Sequence, residues 1–460
     1  APFYAGWGVT DDRIAIPRRG KVRSTAEIFA AAYLICCRYV DPVTWREGDI
    51  FKVINHILLQ REKRAHNAEQ RVGCVGMSWW KHKVVTPFFR GVPGKPENLS
   101  LADLKNKGVD PYTRLVVWGN KHSTLLPDLG DQVELLRMED GFLRSVGLGS
   151  NLVPPLSLVV DRKGLYYDAT RRSDLEEILA THAFPPELIE RAQRLRELLL
   201  ANRITKYNLA GQRSDLSSWK KAGQRLILVV GQVPGDASIL LGNNGGPIDD
   251  YQLITAVRAA HTNAIVAYKP HPDVVSGNRS GKDTVSAAVK LADIVLHDAE
   301  TLSLIEQCDE VHTMTSLSGF EALIRGKKVV CYGMPFYAGW GLTEDKTALP
   351  AGRRERKLTI DELVAAALIL YPEYVHPITK DFITAEDAVQ ILIRQKHFGK
   401  NHTADIRHGF FRRQWNKIKH LTGQARFFSS GWPAWMVTSL EPDTGLSRIS
   451  EGEATCHRCS

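Results

Sequence analysis

Apolar residues along this chain fall in short continuous runs, separated by longer stretches of helical period. The runs RVGCVGMS (71–78), LVVWGN (115–120) and VELLRM (133–138) read as buried strands, because a strand covered on both faces shows no polar alternation. Residues 174–202 keep a helical period through Leu175, Ile178, Leu179, Ile189, Leu195, Leu198 and Leu199, and predict one long helix. The polar stretch Tyr207–Gly223 reads as a link between two lobes. Beyond it, RLILVVGQ (225–232), AIVAYKP (264–270), DIVLHD (293–298), DEVHTMTS (309–316) and KKVVCYG (327–333) predict strands, with a helix from Asp249 and helical patterns between the others. The alternation predicts two doubly wound α/β lobes, whose ligands sit at the carboxyl ends of parallel strands.

A second pattern is laid over the first. PFYAGWGVTDDRIAIPRRG begins at Pro2, and PFYAGWGLTEDKTALPAGR begins at Pro335. The likeness continues: Thr25, Glu27, Ala30–Ala32, Tyr39 and Pro42 reappear as Thr359, Glu362, Ala365–Ala367, Tyr374 and Pro377, and both copies end in an amphipathic stretch at Gln60 and Gln395. An internal repeat of this kind predicts two homologous modules. Residues 1–66 would be the closing segment of a preceding module, and the rest a complete one. Within the motif, Tyr337 and Trp340 are expected to pack the closing segment back on its module, with Gly339 and Gly341 making the turn.

Composition narrows the class. The chain has 460 residues, 43% hydrophobic and 24% charged, with room for two or three cores. No apolar run reaches the ~18 residues of a spanning helix. The chain opens APFYAGWG, with no initiator Met and no signal peptide, and reads as part of a longer protein. Seven cysteines, an odd number, suit free thiols in a reducing compartment. Cys456 and Cys459 flank His457, but no second pair stands at zinc-finger spacing. A net charge of +9 suits nucleic acid, acidic membrane or anionic small substrates without choosing among them. Much of the excess lies in residues 397–428. There Phe411, Trp415, Ile418 and Leu421 share one helical face, and Arg412, Arg413, Lys417 and Lys419 crowd the rest. That predicts a basic amphipathic helix, either at an anionic membrane surface or packed on the protein. Residues 429–460 read as a weakly ordered tail. No recognition motif accompanies the charge, so nucleic acid is not an expected partner.

Four clusters at strand ends can carry chemistry. MEDGFLRSVGLGS offers Glu139, Asp140, Arg144, Ser145 and Ser150, or a tight turn with a surface ion pair. VVGQVPGDASIL offers Gln232, Asp236 and Ser238, where Asp236 is also a natural helix N-cap. YKPHPDVVSGN holds Lys269 and His271 between prolines, suited to a phosphate or carboxylate, or simply a rigid loop. HTMTSLSGFEAL places Thr315, Ser316, Ser318 and Gly319 before a helix with Glu321 in its first turn. That is either a phosphate cradle or a capping box. Walker, GxGxxG, HExxH and GxSxG motifs are absent.

Taken in order, PFYAGWG, MEDGFLRS, ITKYN (204–208), GDASI, KPHP and TSLSGFEAL resemble the KpsC-type capsule polysaccharide biosynthesis proteins, over residues 1 to about 396. The resemblance implies a GT-B-like α/β glycosyltransferase: two Rossmann-like lobes facing across a cleft, with a helical C-terminal segment. The first lobe (70–206) would hold the acceptor and the second (222–335) the CMP-sugar, closed by a helical segment at 336–396. It implies retaining transfer of β-Kdo (3-deoxy-D-manno-oct-2-ulosonic acid) from CMP-β-Kdo to a Kdo-terminated, phosphatidylglycerol-type lipid, through a 2→7 link. No cofactor or metal is expected. On that chemistry Asp236 is the expected nucleophile and Glu139 the general base, with Asp140 the alternative. His271 and Lys269 would hold the CMP phosphate or the Kdo carboxylate. Ser316 and Ser318 would bind phosphate, with Thr315, Gly319, Glu321, Gln232 and Ser238 about them. Arg144 and Ser145 would bind a sugar carboxylate. The expected location is cytoplasmic, peripheral on the inner membrane, beside other capsule assembly proteins. The alternatives are a transferase using another sugar nucleotide and a non-catalytic capsule assembly or export protein.

Overall fold

Strands form where the continuous apolar runs predict them, and the remaining elements follow from what must cover those strands. The structure is a computed structural model and describes residues 23–107, 112–121, 133–147, 153–208, 211–219, 223–275, 277 and 281–399. The first PFYAGWG, Ser150, nearly all of the 397–428 helix, the 429–460 tail and the Cys456–Cys459 pair lie outside these residues.

The first repeat copy forms α1 (Thr25–Phe29), a π-helical turn (Ala30–Ile35), the antiparallel pair β1 (Tyr39–Val40) and β2 (Glu47–Gly48), and α2 (Ile50–Asn67). The first lobe follows with β3 (Val72–Val75), α3 (Trp79–Val85), β4 (Glu97–Leu99), α4 (Leu101–Lys107), β5 (Arg114–Trp118), β6 (Glu134–Asp140) and β7 (Ser157–Asp161). Strands β4, β3, β5 and β6 are parallel neighbours in that order, and β7 lies antiparallel on β6. The order reverses at β3, so this lobe's crevice opens between the carboxyl ends of β3 and β5.

The expected single helix over 174–202 is two helices, α5 (Asp174–Thr181) and α6 (Pro186–Ala201). Pro185 and Pro186 explain the break. Neither can donate the backbone bond that would continue α5, and Pro186 is well placed as the first residue of a new helix.

The second lobe contains β8 (Leu226–Val230), α7 (Ala237–Gly242), α8 (Asp250–Ala260), β9 (Ile265–Lys269), α9 (Pro272–Val275), α10 (Lys282–Val289), β10 (Ile294–Val295), α11 (Thr301–Gln307), β11 (Glu310–Thr313), α12 (Leu317–Leu323), β12 (Lys328–Cys331) and β13 (Glu344–Asp345). All six strands are parallel, in the order β10-β9-β8-β11-β12-β13. That is the Rossmann order, and its crevice lies between β8 and β11.

The closing segment is less purely helical than expected. It supplies β13 to the second sheet, then α13 (Ile360–Val364), a π-helical turn (Ala365–Leu370), β14 (Pro372–Tyr374) and α14 (Ala385–Gly399). Strand β14 pairs antiparallel with β7, so the chain crosses back to finish the first sheet. Helix α13 and the π turn pack on α5 and α6. Two ion pairs fix the seam, Arg196–Asp361 and Arg191–Glu386, each 2.7 Å.

One hydrophobic core runs through both lobes. Phe142 of MEDGF stacks on Phe336 of the second PFYAGWG at 4.7 Å, and Phe320 of SGFEAL meets Phe336 at 5.3 Å. Three motifs far apart in sequence thus share one aromatic junction. Tyr337 and Trp340 are fully buried beside it, as expected. Tyr337 donates to the Ser316 carbonyl, and Trp340 Nε1 to the Phe336 carbonyl at 2.9 Å. Gly339 and Gly341 take positive φ of 84° and 80° and make the turn.

Candidate active site

The first lobe brings its chemistry to the end of β6. Glu139 stands half-buried there, its Oε1 accepting from the Asp140 backbone N–H at 3.0 Å. Desolvation, reinforced by the Asp140 charge, pushes the Glu139 carboxyl up to about 7, against the opposing pull of Lys206 and Lys81. Asp140 Oδ2 accepts from Arg144 Nε at 2.7 Å, while its buried Oδ1 has no hydrogen-bond partner among the described residues. A buried carboxylate oxygen left open in this way calls for a donor from elsewhere.

Arg144 and Ser145 are placed differently from their expected use. Both are buried, and Arg144 spends its guanidinium on Asp140 and on Ser145 Oγ at 2.9 Å. Their backbone N–H groups donate to the Lys206 carbonyl, and Asn208 Nδ2 donates to the Ser145 carbonyl at 3.1 Å. MEDGFLRS and ITKYN are thus clamped together. Arg144 orients Asp140 rather than lying open to a ligand.

The second lobe contributes the loop after β8. Asp236 occupies the N-cap position of α7, as one reading of the sequence has it, but its carboxylate does not cap the backbone. It accepts from Ser238 Oγ at 2.9 Å and remains half-buried. Gln232 bridges the switch point: its Oε1 accepts from the Thr315 N–H at 2.8 Å, and its Nε2 donates to Thr315 Oγ1 at 3.0 Å. Buried Asp250 holds the same loop by accepting from the Gln232 N–H at 2.9 Å. Gln232 and Thr315 therefore fix the crevice floor.

Lys269 is buried at the end of β9, and its Nζ donates to the His297 carbonyl at 2.8 Å. Burial draws its ammonium down to about 8, with Asp298 opposing. His271 is half-buried in the next turn, its Nδ1 accepting from the Asp273 N–H at 3.1 Å.

Of the two readings of HTMTSLSGFEAL, the capping box at Ser318 and Glu321 does not form. Helix α12 starts at Leu317, Ser316 is its N-cap, and Ser316 Oγ accepts from the Ser318 N–H at 3.2 Å. Glu321 therefore lies beyond the first turn. It accepts from the Lys206 backbone N–H at 3.0 Å and ties the second lobe to ITKYN. Gly319 is a packing glycine, since a Cβ there would come within 2.2 Å of the Tyr337 hydroxyl.

Tyr167, in the loop GLYYDAT after β7, stands beside the first lobe's Glu139, on a loop that reaches the second lobe. A Cβ built on Gly119 would lie 3.3 Å from Tyr167 Oη and 3.6 Å from Glu139 Oε2, so the phenol and the carboxylate stand over the same glycine. Desolvation first, then the charges of Glu139 and Asp236, raise the Tyr167 phenol above its usual range. This tyrosine is neutral at working pH and keeps its O–H beside the Glu139 carboxylate. Its loop touches α7 directly, because the Ala169 N–H donates to the Leu241 carbonyl at 3.0 Å. Lys206 completes the cluster beside Tyr166, 3.5 Å from its hydroxyl. Burial penalises its ammonium, but Tyr166, Tyr207, Asp140 and Glu139 outweigh that and hold it protonated.

Sequence reasoning passes over Lys81, Tyr167 and Lys206 as site residues. Lys206 sits inside ITKYN, so its signal was present. Tyr167 follows an antiparallel strand that the apolar pattern does not reveal.

Three side chains could approach one metal ion, His261, Glu310 and His312. They lie at the amino-terminal end of β11, away from both crevices. Glu310 is already paired with Arg225 at 2.7 Å and Lys328 at 3.4 Å, and burial draws His312 down to about 4. The two cations already neutralise the carboxylate, which makes this a structural cluster.

Two α/β lobes, each with its crevice at a strand-order reversal and joined by a returning C-terminal strand, define the GT-B-like architecture. Residues 113–374 match the family described as capsule polysaccharide biosynthesis protein, and the chain belongs to that family. Capsule polysaccharide modification protein LipA of Neisseria meningitidis serogroup A is 44% identical over 428 residues, 91% of this chain and 60% of LipA. The chain thus spans well under two thirds of that relative. Among solved structures, Thermosulfurimonas dismutans KpsC, beta Kdo 2,7 transferase, is 38% identical with a TM-score of 0.59, covering 71% of this chain and 100% of that one. The beta Kdo 2,4 transferase of the same KpsC is 33% identical with a TM-score of 0.61, covering 72% and 99%.

Proposed function

We propose that this chain transfers β-Kdo from CMP-β-Kdo, with retention, to a Kdo-terminated glycolipid. The observation that carries the reading is that Tyr167 Oη and Glu139 Oε2 stand over the same glycine of the first lobe, while the loop that bears Tyr167 is hydrogen-bonded to α7, the second-lobe helix whose N-cap is Asp236. In the first displacement an Asp236 oxygen bonds to the anomeric carbon of Kdo. The bond from that carbon to the phosphate oxygen breaks, and CMP leaves with the electron pair. In the second, Glu139 takes the proton of the acceptor hydroxyl, whose oxygen bonds to the same carbon and releases Asp236. Asp140 Oδ1 accepts from a sugar hydroxyl, and His271 faces the departing phosphate. The 2→7 link is favoured by identity, 38% against 33%, although the two folds are equally near. On this reading residues 1–66 are the closing segment of a preceding module, which the capping box and π turn repeated in residues 24–35 support. Among the described residues no helix is long and apolar enough to cross a membrane; a peripheral place on the cytoplasmic face is part of this proposal.

The test is mass spectrometry of acceptor incubated with CMP-β-Kdo, followed by NMR of the linkage. Asp236→Ala should lower transfer by about a thousandfold or more and leave CMP binding intact. Transfer that survives the substitution rules out this nucleophile. Because Glu139 must be ionised to act as base, transfer should rise with pH through about 7, and Glu139→Gln should remove that limb.

A further inference from the structure

Among the described residues Lys81 is a cation without a direct ion-pair partner. It sits on α3, the helix that follows β3, and its Nζ lies 4.0 Å from the ring centroid of Trp118, the last residue of β5. Strands β3 and β5 are the pair between which the first lobe's order reverses, so Lys81 hangs over that lobe's crevice. It is half-buried, and among the described residues its ammonium makes no ion pair and no hydrogen bond. An indole face holds a cation in place without consuming its charge or its three donors. Two negative groups, both expected to work on the acceptor, act on Lys81 electrostatically: Glu139 and Asp140. Asp140 in addition keeps its open Oδ1.

Charge explains the arrangement better than packing does. Glu139 and Asp140 offset part of the burial cost of the ammonium, Lys121 and Arg144 add to it, and none of the four bonds to it, so its donors stay open to an anionic ligand. Arg144 cannot serve, because Asp140 occupies it, and Lys269 donates to a backbone carbonyl of the other lobe. Lys81 lies on the first lobe with Glu139 and Asp140, whereas Asp236 lies on the second, so on the transfer reading it belongs to the acceptor side.

We propose that Lys81, seated on Trp118, binds the carboxylate of the acceptor's terminal sugar and so restricts this site to acidic acceptors. The proposal rests on the transfer reading above. With the carboxylate on Lys81, a hydroxyl of the same sugar is steered toward Glu139 and Asp140. A neutral acceptor would leave the ammonium desolvated and unpaired, so the site selects against it.

The test compares two acceptors on the full chain, a Kdo glycoside with its free carboxylate and the matched carboxamide. The wild-type KM should be about 10- to 100-fold lower for the carboxylate, the usual worth of one charge-assisted bond. Lys81→Met should raise KM for the carboxylate acceptor to that of the carboxamide, without moving KM for CMP-Kdo. Lys81→Arg should recover part of the difference. If Lys81→Met harms both acceptors equally, or still discriminates between them, the proposal is overturned. Calorimetric binding of the same two glycosides, without donor, separates the questions. No transfer by the wild-type chain would sink the transferase reading. A carboxylate preference in binding that vanishes in Lys81→Met would still support Lys81, and its absence in the wild type would refute it.

Discussion

The two repeat copies are one sequence pattern folded twice, and they differ in what covers them. Each begins with a capping box, Ser24 with Glu27 and Thr359 with Glu362. Each then passes from α-helix into a six-residue π turn over three alanines. The β1–β2 bridge Val40–Glu47 recurs as Val375–Phe382. Yet Leu368 and Leu392 are buried against the module, while their counterparts Tyr33 and Ile57 are 37% and 51% exposed. The first copy is held by a few apolar residues, Val43 in the core and Leu59 against the first lobe, and by polar contacts. Gln60 exchanges two hydrogen bonds with the Phe382 backbone, at 2.7 and 3.0 Å, and Lys63 pairs with Glu373 at 2.6 Å. Local structure is therefore written in the repeat itself, whereas burial depends on α5 and α6, which only the second copy has beside it.

The largest expected contrast is a charge placed on the alanine run. Ala366→Asp would bury an unpaired carboxylate and should cost more than about 4 kcal/mol, enough to prevent folding. Ala31→Asp, at the equivalent exposed site, should stay within about 0.5 kcal/mol in urea unfolding. Next comes a clamp seen, among the described residues, on the second copy. Buried Glu176 of α5 binds Arg353 at 2.6 Å and Arg354 at 3.2 Å. Glu176→Ala leaves both guanidiniums without their carboxylate and should cost about 3–5 kcal/mol. Smaller again is Leu392→Ala, about 2–4 kcal/mol, against under about 1 kcal/mol for Ile57→Ala. Equal losses within either pair would mean that the first copy is covered after all.

Much of this was legible in the sequence, for reasons the residues make clear. The parallel strands β3, β5, β6, β8, β9, β11 and β12 were read because strands buried on both faces are continuous apolar runs. Strands β7 and β14 were missed: Pro372–Tyr374 is three residues long, and its strand character comes only from pairing with β7. The repeat was read with Thr25 matched to Thr359, but the caps show that Ser24 is the true counterpart. The motifs marked the right loops. What they could not give was which polar atoms are already spent. Gln232, Thr315, Ser316, Arg144 and Glu321 are polar residues at strand ends, as a binding site requires, and each is committed to a protein partner. Lys81 and Tyr167 matter because of where a helix and a loop deliver them, which no local spacing encodes.

The smallest effect separates local from tertiary stabilisation. A helix cap satisfies backbone N–H groups within one turn, so its contribution should not depend on what covers the helix. Ser24 Oγ and Thr359 Oγ1 accept from Glu27 and Glu362 N–H groups at 3.2 and 3.3 Å, nearly identical bonds. Thr359→Ala should therefore cost about 1 kcal/mol in global unfolding, because α13 unfolds with the core it helps to form. Ser24→Ala removes the same bond from a helix that buries only Ile28, where opening need not await global unfolding. Its cost should appear as faster hydrogen exchange at the amides of Glu27 and Ile28, by about fivefold, with little change in the urea midpoint. If Ser24→Ala instead lowers the midpoint as much as Thr359→Ala does, the first copy unfolds together with the module, and its polar contacts through Gln60 and Lys63 bind it more tightly than its exposure implies.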